Sequence, residues 1–187
     1  MRVIAGSAKG TRLGPVAPGV RPVSDRAREG LFSSLGELVE GARVLDLYAG
    51  TGALGIEALS RGAEHATFVE RARRTAETIR DNLRRTRLGE LATVRVSDAL
   101  AALEGEGRAG RAYDLILADP PYDQPVEEVE AVVAAATNAL VSGGGRIVLT
   151  RPSRNTTLVV PVHCRVAKRL EYGDTVVLIF GQDPTEA

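Results

Sequence analysis

The strongest constraint on the fold is an alternation of β-prone and helical segments between residues 43 and 149. Five short apolar runs typical of buried strands cover residues 44–48, 67–70, 93–96, 114–118 and 146–149. Helices are predicted between them over residues 53–61, from just after 70 to about 87, from about 99, and over 125–140. Strands that alternate with helices imply right-handed βαβ units, and therefore a parallel sheet covered on both faces.

Two further β-prone runs follow, and no helical stretch separates them. They cover residues 162–171 and 175–180 and meet at Tyr172-Gly173-Asp174, a sequence typical of a tight turn. A hairpin at the end of the chain reverses one strand against its neighbours. We therefore predict an α/β fold with about seven strands, mostly parallel, with the last strand antiparallel and helices on both faces.

One more helix is predicted ahead of the first strand. Ser24 is typical of a helix N-cap, and Asp25 follows in the first turn. Apolar residues then recur at helical spacing and predict a buried stripe that extends to about residue 40. They are Ala27, Leu31, Leu35 and Leu38.

The first 22 residues differ from the rest in charge and in apolar content. Residues 1–28 carry six basic side chains and one acid, a net charge of +5, so the remainder of this neutral chain carries −5. Two short β-prone pieces, residues 2–5 and 11–13, predict a small hairpin that is too short to fold alone. The basic charge suits phosphate contacts, whereas the alternative is that the hairpin only covers a sheet edge and that Arg26 and Arg28 are helix-surface charges.

Composition argues against several classes of protein. A single cysteine, Cys164, excludes an internal disulfide framework and a cysteine-cluster metal site, and two histidines, His65 and His163, argue against a histidine-rich one. We therefore expect no metal. No apolar run approaches 18 residues and the first 20 do not resemble a signal peptide, so we expect a soluble, cytoplasmic protein with no membrane partner.

The segment from Asp46 to Gly55 places a tight glycine turn between the first strand and its helix. Gly50 and Gly52 let the backbone approach a ligand at the carboxyl end of the strands, where open α/β sheets bind cofactors. Glu70 ends the second strand, where a carboxylate can accept two ribose hydroxyls. The alternative is an ordinary turn beside solvated strand-end acids.

Two residues ahead of the turn argue against a dinucleotide. Asp46 and Tyr48 stand where a dehydrogenase usually has only apolar strand residues. A carboxylate there tolerates a cationic ligand better than a pyrophosphate. Asp98, which follows the third strand, is placed to reach an adenine amino group.

The most specific feature is Asp119-Pro120-Pro121-Tyr122, which ends the fourth strand. The two prolines stiffen the backbone and remove N–H donors, so the loop presents a carboxylate and carbonyl acceptors beside an aromatic face. Such a loop suits a planar base with an exocyclic amine. The alternative is a proline-rich turn with an exposed acid.

On these residues the chain resembles S-adenosylmethionine-dependent methyltransferases of the Rossmann-like class. Among them it is similar to the bacterial family that methylates N2 of a guanosine in 16S ribosomal RNA (RsmD type). The resemblance covers nearly the whole chain and includes Ile4-Ala5-Gly6 and residues 9–13, 21–29 and 46–55 as well as the proline loop. Val23 is a departure, because a threonine is expected there.

The resemblance implies an enzyme that transfers a methyl group from S-adenosylmethionine to the guanine N2 amine of 16S rRNA, in a small ribosomal subunit or its assembly intermediate. The charge and composition of the N-terminal segment predict two parts, a basic RNA-contacting extension over residues 1–22 and a methyltransferase domain over 23–187. The expected catalytic residues are Asp119, Pro120 and Tyr122. The expected cofactor-binding residues are Asp46, Tyr48, Gly50, Thr51, Gly52, Glu70, Asp98, Ala99 and Asp119. The expected RNA contacts are Lys9, Arg12, Arg21 and Tyr122.

Two other function classes stay open at the level of sequence. One is an amino-methylating enzyme that acts on another RNA, on DNA or on a protein glutamine. A glutamine enzyme more often has Asn in place of Asp119, and a DNA enzyme usually adds a target-recognition domain, for which 187 residues leave little room. The other is an NAD-dependent oxidoreductase or a non-catalytic nucleotide-binding module, which has no need of the proline loop.

Overall fold

A computed structural model describes residues 1–15, 23–140, 144–153, 158–161 and 164–182. Within these ranges the strands form one seven-stranded sheet in the order β3-β2-β1-β4-β5-β7-β6. The strands are β1 (Arg43–Leu47), β2 (His65–Glu70), β3 (Ala92–Val96), β4 (Leu115–Ala118), β5 (Arg146–Pro152), β6 (Cys164–Tyr172) and β7 (Thr175–Gln182). The α-helices are α1 (Asp25–Leu35), α2 (Ala53–Ser60), α3 (Arg73–Thr86), α4 (Ala99–Arg108) and α5 (Val126–Thr137).

The sheet has the predicted number and directions of strands. β1 pairs in parallel with β2 and β4, which in turn pair in parallel with β3 and β5. β7 runs antiparallel between β5 and β6, so the predicted reversal of the last strand is confirmed. The strand order reverses between β1 and β4, and open α/β sheets bind their ligands in the crevice outside the carboxyl ends of the strands at such a point.

Apolar side chains on the two faces of the sheet form two buried clusters. One cluster contains side chains of α1, α2 and α3, with Phe32, Ile56 and Ile79 fully or almost fully buried. The other contains side chains of α4 and α5, with Leu103 and Val133 against the opposite face. Because both faces are covered, the sheet edge at the carboxyl ends of the strands is left as the accessible place for a ligand.

The helix ahead of β1 begins as predicted and ends earlier. The Ser24 hydroxyl accepts the backbone N–H of Ala27 at 3.2 Å, which confirms the N-cap. Gly36 adopts φ 57° and ends α1 at Leu35, and a short 3₁₀ turn, Gly36–Val39, follows. The prediction that Leu38 belongs to the buried stripe is therefore wrong, and its side chain is 45% exposed.

Residues 1–15 fold back on themselves and pack against α2. Arg2 and Arg12 form an antiparallel bridge, as the predicted hairpin requires. Val3, Ala8 and Leu13 are buried in the same cluster as the helices α1 to α3. The segment therefore shares the core of the sheet.

Contacts with α2 fix the path of this N-terminal segment. The Glu57 carboxylate accepts the backbone N–H groups of Ile4 at 2.8 Å and Ala5 at 3.1 Å. Gly6 adopts φ +81° and lies so close to α2 that a Cβ atom there would be 1.6 Å from the Ser60 carbonyl oxygen. Only glycine fits this position.

None of the helices in the described part of the chain is long and apolar enough to cross a membrane.

Candidate functional site

A cleft of about 1320 Å³ lies at the carboxyl ends of β1, β2 and β4. We call it the central cleft. It brings together every predicted cofactor-binding and catalytic residue except Gly52, which is buried behind the turn. The predicted residues that line it are Asp46, Tyr48, Gly50, Thr51, Glu70, Asp98, Ala99, Asp119, Pro120 and Tyr122.

The glycine turn is built from backbone conformations that most side chains avoid. Gly50 has φ 56° and Gly52 has φ 79°, and Tyr48 also lies at positive φ, 57°. Gly55, one turn into α2, is required for packing, because a Cβ atom there would be 2.4 Å from the Phe68 ring. The turn therefore presents backbone atoms to the cleft while α2 packs tightly on β2.

Glu70 is tied to the turn by its own side chain. One carboxylate oxygen accepts the backbone N–H of Gly50 at 3.1 Å, and the other accepts that of Ala72 at 2.8 Å. Each oxygen keeps a second lone pair for a ligand. Glu70 is thus held in a fixed orientation at the end of β2, where the ribose-binding role was predicted.

Asp46 is a buried carboxyl group on the floor of the central cleft. Its Oδ2 accepts the backbone N–H of Gly55 at 2.9 Å. Burial raises the pKa of Asp46 well above its ordinary value, the Gly55 N–H opposes that rise, and the negative charges of Asp119 and Glu70 add to it. A cation bound beside these three carboxyl groups would favour their ionised forms, whereas a pyrophosphate would disfavour them.

Asp119 follows β4 and is partly buried. The hydroxyl of Thr150 on β5 donates a hydrogen bond to Oδ1 of Asp119. Burial raises the pKa of Asp119 to about 6, and the hydrogen bond from Thr150 opposes that rise. The carboxyl is therefore mostly ionised at pH 7 and can take up a proton without a large energetic cost.

The rest of the proline loop is fixed by two side-chain hydrogen bonds. The hydroxyls of Tyr122 and Thr175 lie 2.9 Å apart and share one hydrogen bond, which ties the loop to β7. Gln124 donates to the Tyr48 hydroxyl at 3.0 Å, which ties the loop to the end of β1. Burial raises the pKa of Tyr48. A loop held at both ends presents Asp119 and the Tyr122 ring to the cleft with little freedom to move.

Asp98 has a structural role that the sequence did not indicate. Its Oδ1 is the N-cap of α4 and accepts the N–H groups of Leu100 at 2.9 Å and Ala101 at 3.3 Å. The other oxygen is left for a ligand, and Asp98 and Ala99 both line the cleft.

The predicted RNA contacts do not lie together. Lys9 and Arg12 are exposed on the N-terminal segment and do not line the cleft. Tyr122 lines it, and Arg21 lies outside the described residues. The alternative reading of Arg28 as a helix-surface charge is wrong, because its side chain is fully buried.

Arg28 is held among residues from three elements. It donates to the Arg2 carbonyl at 2.8 Å and to Asp25 at 2.7 Å, and it lies 3.8 Å from the Glu57 carboxylate. The sequence feature that indicates burial of Arg28 is its position three residues before Leu31, on the buried side of α1.

The role of Asn82 was also not predicted, although its side chain connects the N-terminal segment and the glycine turn. This fully buried residue of α3 accepts the Gly14 N–H at 2.7 Å and donates to the Thr51 carbonyl at 2.8 Å. It links the N-terminal segment to the glycine turn.

Cys164 is buried in the core, as predicted, and His163 lies outside the described residues.

Comparison with known proteins gives matches along the whole length of the chain. The model of the family described as Conserved hypothetical protein 95 matches residues 1–181. "Putative rRNA methyltransferase YlbH" of Bacillus subtilis is 36% identical over 96% of this chain and 98% of its own length. The "Ribosomal RNA small subunit methyltransferase D" of Escherichia coli is 30% identical over 98% of this chain and 90% of its own length.

Solved structures give the same match. The structure described as "Putative methyltransferase yhhF from Escherichia coli" superposes with a TM-score of 0.85, at 30% identity, over 99% of each chain. The Thermus protein TTHA0928 superposes with a TM-score of 0.81, at 29% identity, over 96% of this chain and 98% of its own. The Rossmann-like fold expected from the resemblance is confirmed.

Proposed function

Because the chain belongs to the family described as Conserved hypothetical protein 95, we propose that it transfers a methyl group from S-adenosylmethionine to the exocyclic N2 amine of a guanosine in 16S ribosomal RNA. The observation that carries the proposal is the placement of Asp119 and Tyr122 in the same cleft as the glycine turn and Glu70. Its methyltransferase relatives match along nearly their whole length, so family and site point to one activity.

The central cleft fits the cofactor chemically. We assign the ribose hydroxyls to the carboxylate of Glu70, which the Gly50 N–H holds, and the adenine amine to the second oxygen of Asp98. Asp46, Glu70 and Asp119 give the cleft the negative potential that a sulfonium and an α-ammonium group require. When bound, S-adenosylmethionine supplies an electrophilic methyl group on a positively charged sulfur.

The proline loop supplies what the amine requires. The N2 lone pair of guanine is delocalised into the ring, so the amine is a poor nucleophile until its hydrogens are engaged. We assign one hydrogen to the Asp119 carboxylate and the other to the Pro120 carbonyl, and we assign stacking on the base to Tyr122. Acceptors fixed in this way stabilise the positive charge that develops on nitrogen.

The proton has a defined destination. As the N–C bond forms, the electron pair of the S–C bond stays on sulfur, and the nitrogen then gives up one proton. Asp119, whose pKa is raised to about 6 by burial, can accept that proton and pass it to solvent.

The RNA itself requires a second contact surface. We propose that exposed Lys9 and Arg12, together with Arg21, contact phosphates, and that residues 1–22 act as the RNA-contacting part and 23–187 as the methyltransferase domain. The substrate we propose is the small subunit or its assembly intermediate, which places the protein in the cytoplasm.

Mass mapping of modified nucleosides tests this function. 16S rRNA from a deletion strain should lack one N2-methylguanosine, and wild-type protein should restore it. Asp119→Asn should not restore it, whereas Asp81→Asn, a matched change on the exposed side of α3, should. An unchanged set of methylated guanosines in the deletion strain would contradict the proposal, and a changed adenosine or cytidine would redirect it to another amine.

A further inference from the structure

Thr150 is a buried polar residue beside the reactive end of β4. It follows four buried or half-buried residues of β5, and its side chain has no exposed surface. β5 pairs with β4 so that Leu149 is opposite Ala118, which places Thr150 next to Asp119. The two side chains therefore meet where the strands end.

The hydrogen bond between them is specific in direction. The Thr150 hydroxyl is the donor, because an ionised carboxylate only accepts. Among the described residues, Thr150 is the one that donates a hydrogen bond to the Asp119 side chain. This hydrogen bond engages Oδ1, and Asp119 lines the central cleft.

The surroundings of Asp119 make this donor important. Asp46 on β1 and Glu70 at the end of β2 are acidic residues that line the same cleft. Arg151, which follows Thr150, is buried and interacts with Tyr48, and Tyr122 lies in the same loop as Asp119. Because burial disfavours the charge on Asp119, the hydrogen bond that Thr150 donates favours the ionised form.

We propose that Thr150 is a positioning residue, which turns the Asp119 carboxylate toward the substrate amine and keeps it in the charge state that methyl transfer uses. The inference rests on the proposed function, in which Asp119 contacts the amine.

Removal of the hydroxyl gives a graded test. Thr150→Val keeps the shape of the side chain and removes the donor. Single-turnover methylation should fall roughly tenfold to a hundredfold, since hydrogen bonds to charged groups are among the stronger ones. The acid limb of the pH–rate profile should move to higher pH, because the lost donor had favoured ionised Asp119. Affinity for S-adenosylmethionine, measured by calorimetry, should change by less than threefold.

Two variants separate positioning from folding. Thr150→Ser keeps the donor and should restore the rate and the pH midpoint. Thr86→Val removes another buried threonine hydroxyl, one that donates only to carbonyls of its own helix, and should leave the pH midpoint unchanged. If Thr150→Val does not fold, Thr150→Ala provides the same loss of the donor.

A second readout does not depend on activity. Carbon-13 NMR titration of the Asp119 carboxyl, assigned by its absence in Asp119→Asn, should give a higher pKa in Thr150→Val than in wild type. The same pKa and pH profile in both proteins would overturn the role of Thr150. If the NMR shift appears while Asp119→Asn methylates normally, the hydrogen-bonded pair stands and the proposed function of Asp119 fails.

Discussion

Two carboxylates of this protein, Glu57 and Asp119, differ in how many partners they have. Glu57 is fully buried and accepts two backbone N–H groups of the N-terminal segment and the side chain of Arg61, with Arg28 3.8 Å away. From the described residues Asp119 receives one hydrogen bond, donated by Thr150, and Asp119 lines the central cleft. A carboxylate with hydrogen bonds to both of its oxygens holds the fold together, whereas one with a free oxygen and a raised pKa is available for chemistry.

The largest effect should come from Glu57→Gln. Loss of this anion breaks the 2.7 Å ion pair with Arg61, removes the carboxylate that lies 3.8 Å from buried Arg28, and loosens the N-terminal segment. Breaking a buried ion pair costs about 3–5 kcal/mol of stability. Urea unfolding measures the change, with Glu104→Gln on exposed α4 surface as the matched control. A loss below 1 kcal/mol would show that Glu57 does not hold the segment.

Asp119→Asn should affect the reaction instead. Removal of one charge-stabilising acceptor costs about 10²–10³ in rate, which corresponds to about 2.7–4 kcal/mol. Single-turnover methylation measures the loss, and calorimetry should show affinity for S-adenosylmethionine within a few fold of wild type. Loss of cofactor binding in this variant would instead make Asp119 a cofactor ligand.

The same substitution should stabilise the fold, in contrast to Glu57→Gln. Burial raises the pKa of Asp119 to about 6 in the folded protein. The folded state therefore favours the protonated carboxyl, and the stability gained from it is fully present below the pKa of Asp119 in the unfolded chain. This stability is lost as pH rises through 6. At pH 8 the neutral amide avoids this loss, and Asp119→Asn should be more stable than wild type by on the order of 2 kcal/mol. The gain should shrink toward zero near pH 4. Denaturation at both pH values tests the sign, and an equal or lower stability at pH 8 would contradict it.

A smaller effect is expected at the exposed surface of the N-terminal segment. The double variant Lys9→Ala, Arg12→Ala should keep its stability and its cofactor affinity. The slope of log RNA affinity against log salt should flatten by about 0.7 for each lost phosphate contact. The double variant Arg84→Ala, Arg85→Ala on α3 is the control, and a change of slope there alone would move the RNA surface to that helix.

Sequence patterns predicted the parts of the molecule that depend on neighbours in the chain. Alternating strands and helices gave the sheet topology, and the glycine turn and proline loop were placed at the correct strand ends. Both motifs depend on the backbone limits of glycine and proline, which act locally. The early end of α1 also has a local cause, because Gly36 ends the helix before Leu38, although Leu38 continues the apolar spacing.

What could not be predicted depends on contacts between distant segments. Arg28 is buried because Arg2 and Glu57 come to it from other elements. Asn82 acquires its role from Gly14 and Thr51, 68 and 31 residues away. Thr150 meets Asp119 only after β5 pairs with β4, and a threonine in a β-prone run carries no signal of that contact.

Methyl transfer by the purified protein tests the account most directly. Small subunits from the deletion strain are incubated with S-adenosylmethionine labelled in its methyl group, and the nucleosides of the 16S rRNA are separated by mass. Wild-type protein should place the label on N2 of one guanosine, and Asp119→Asn should reduce the rate of labelling by about 10²–10³. Label on no nucleoside, or equal labelling by the two proteins, would contradict the assignment of this cleft to amine methylation.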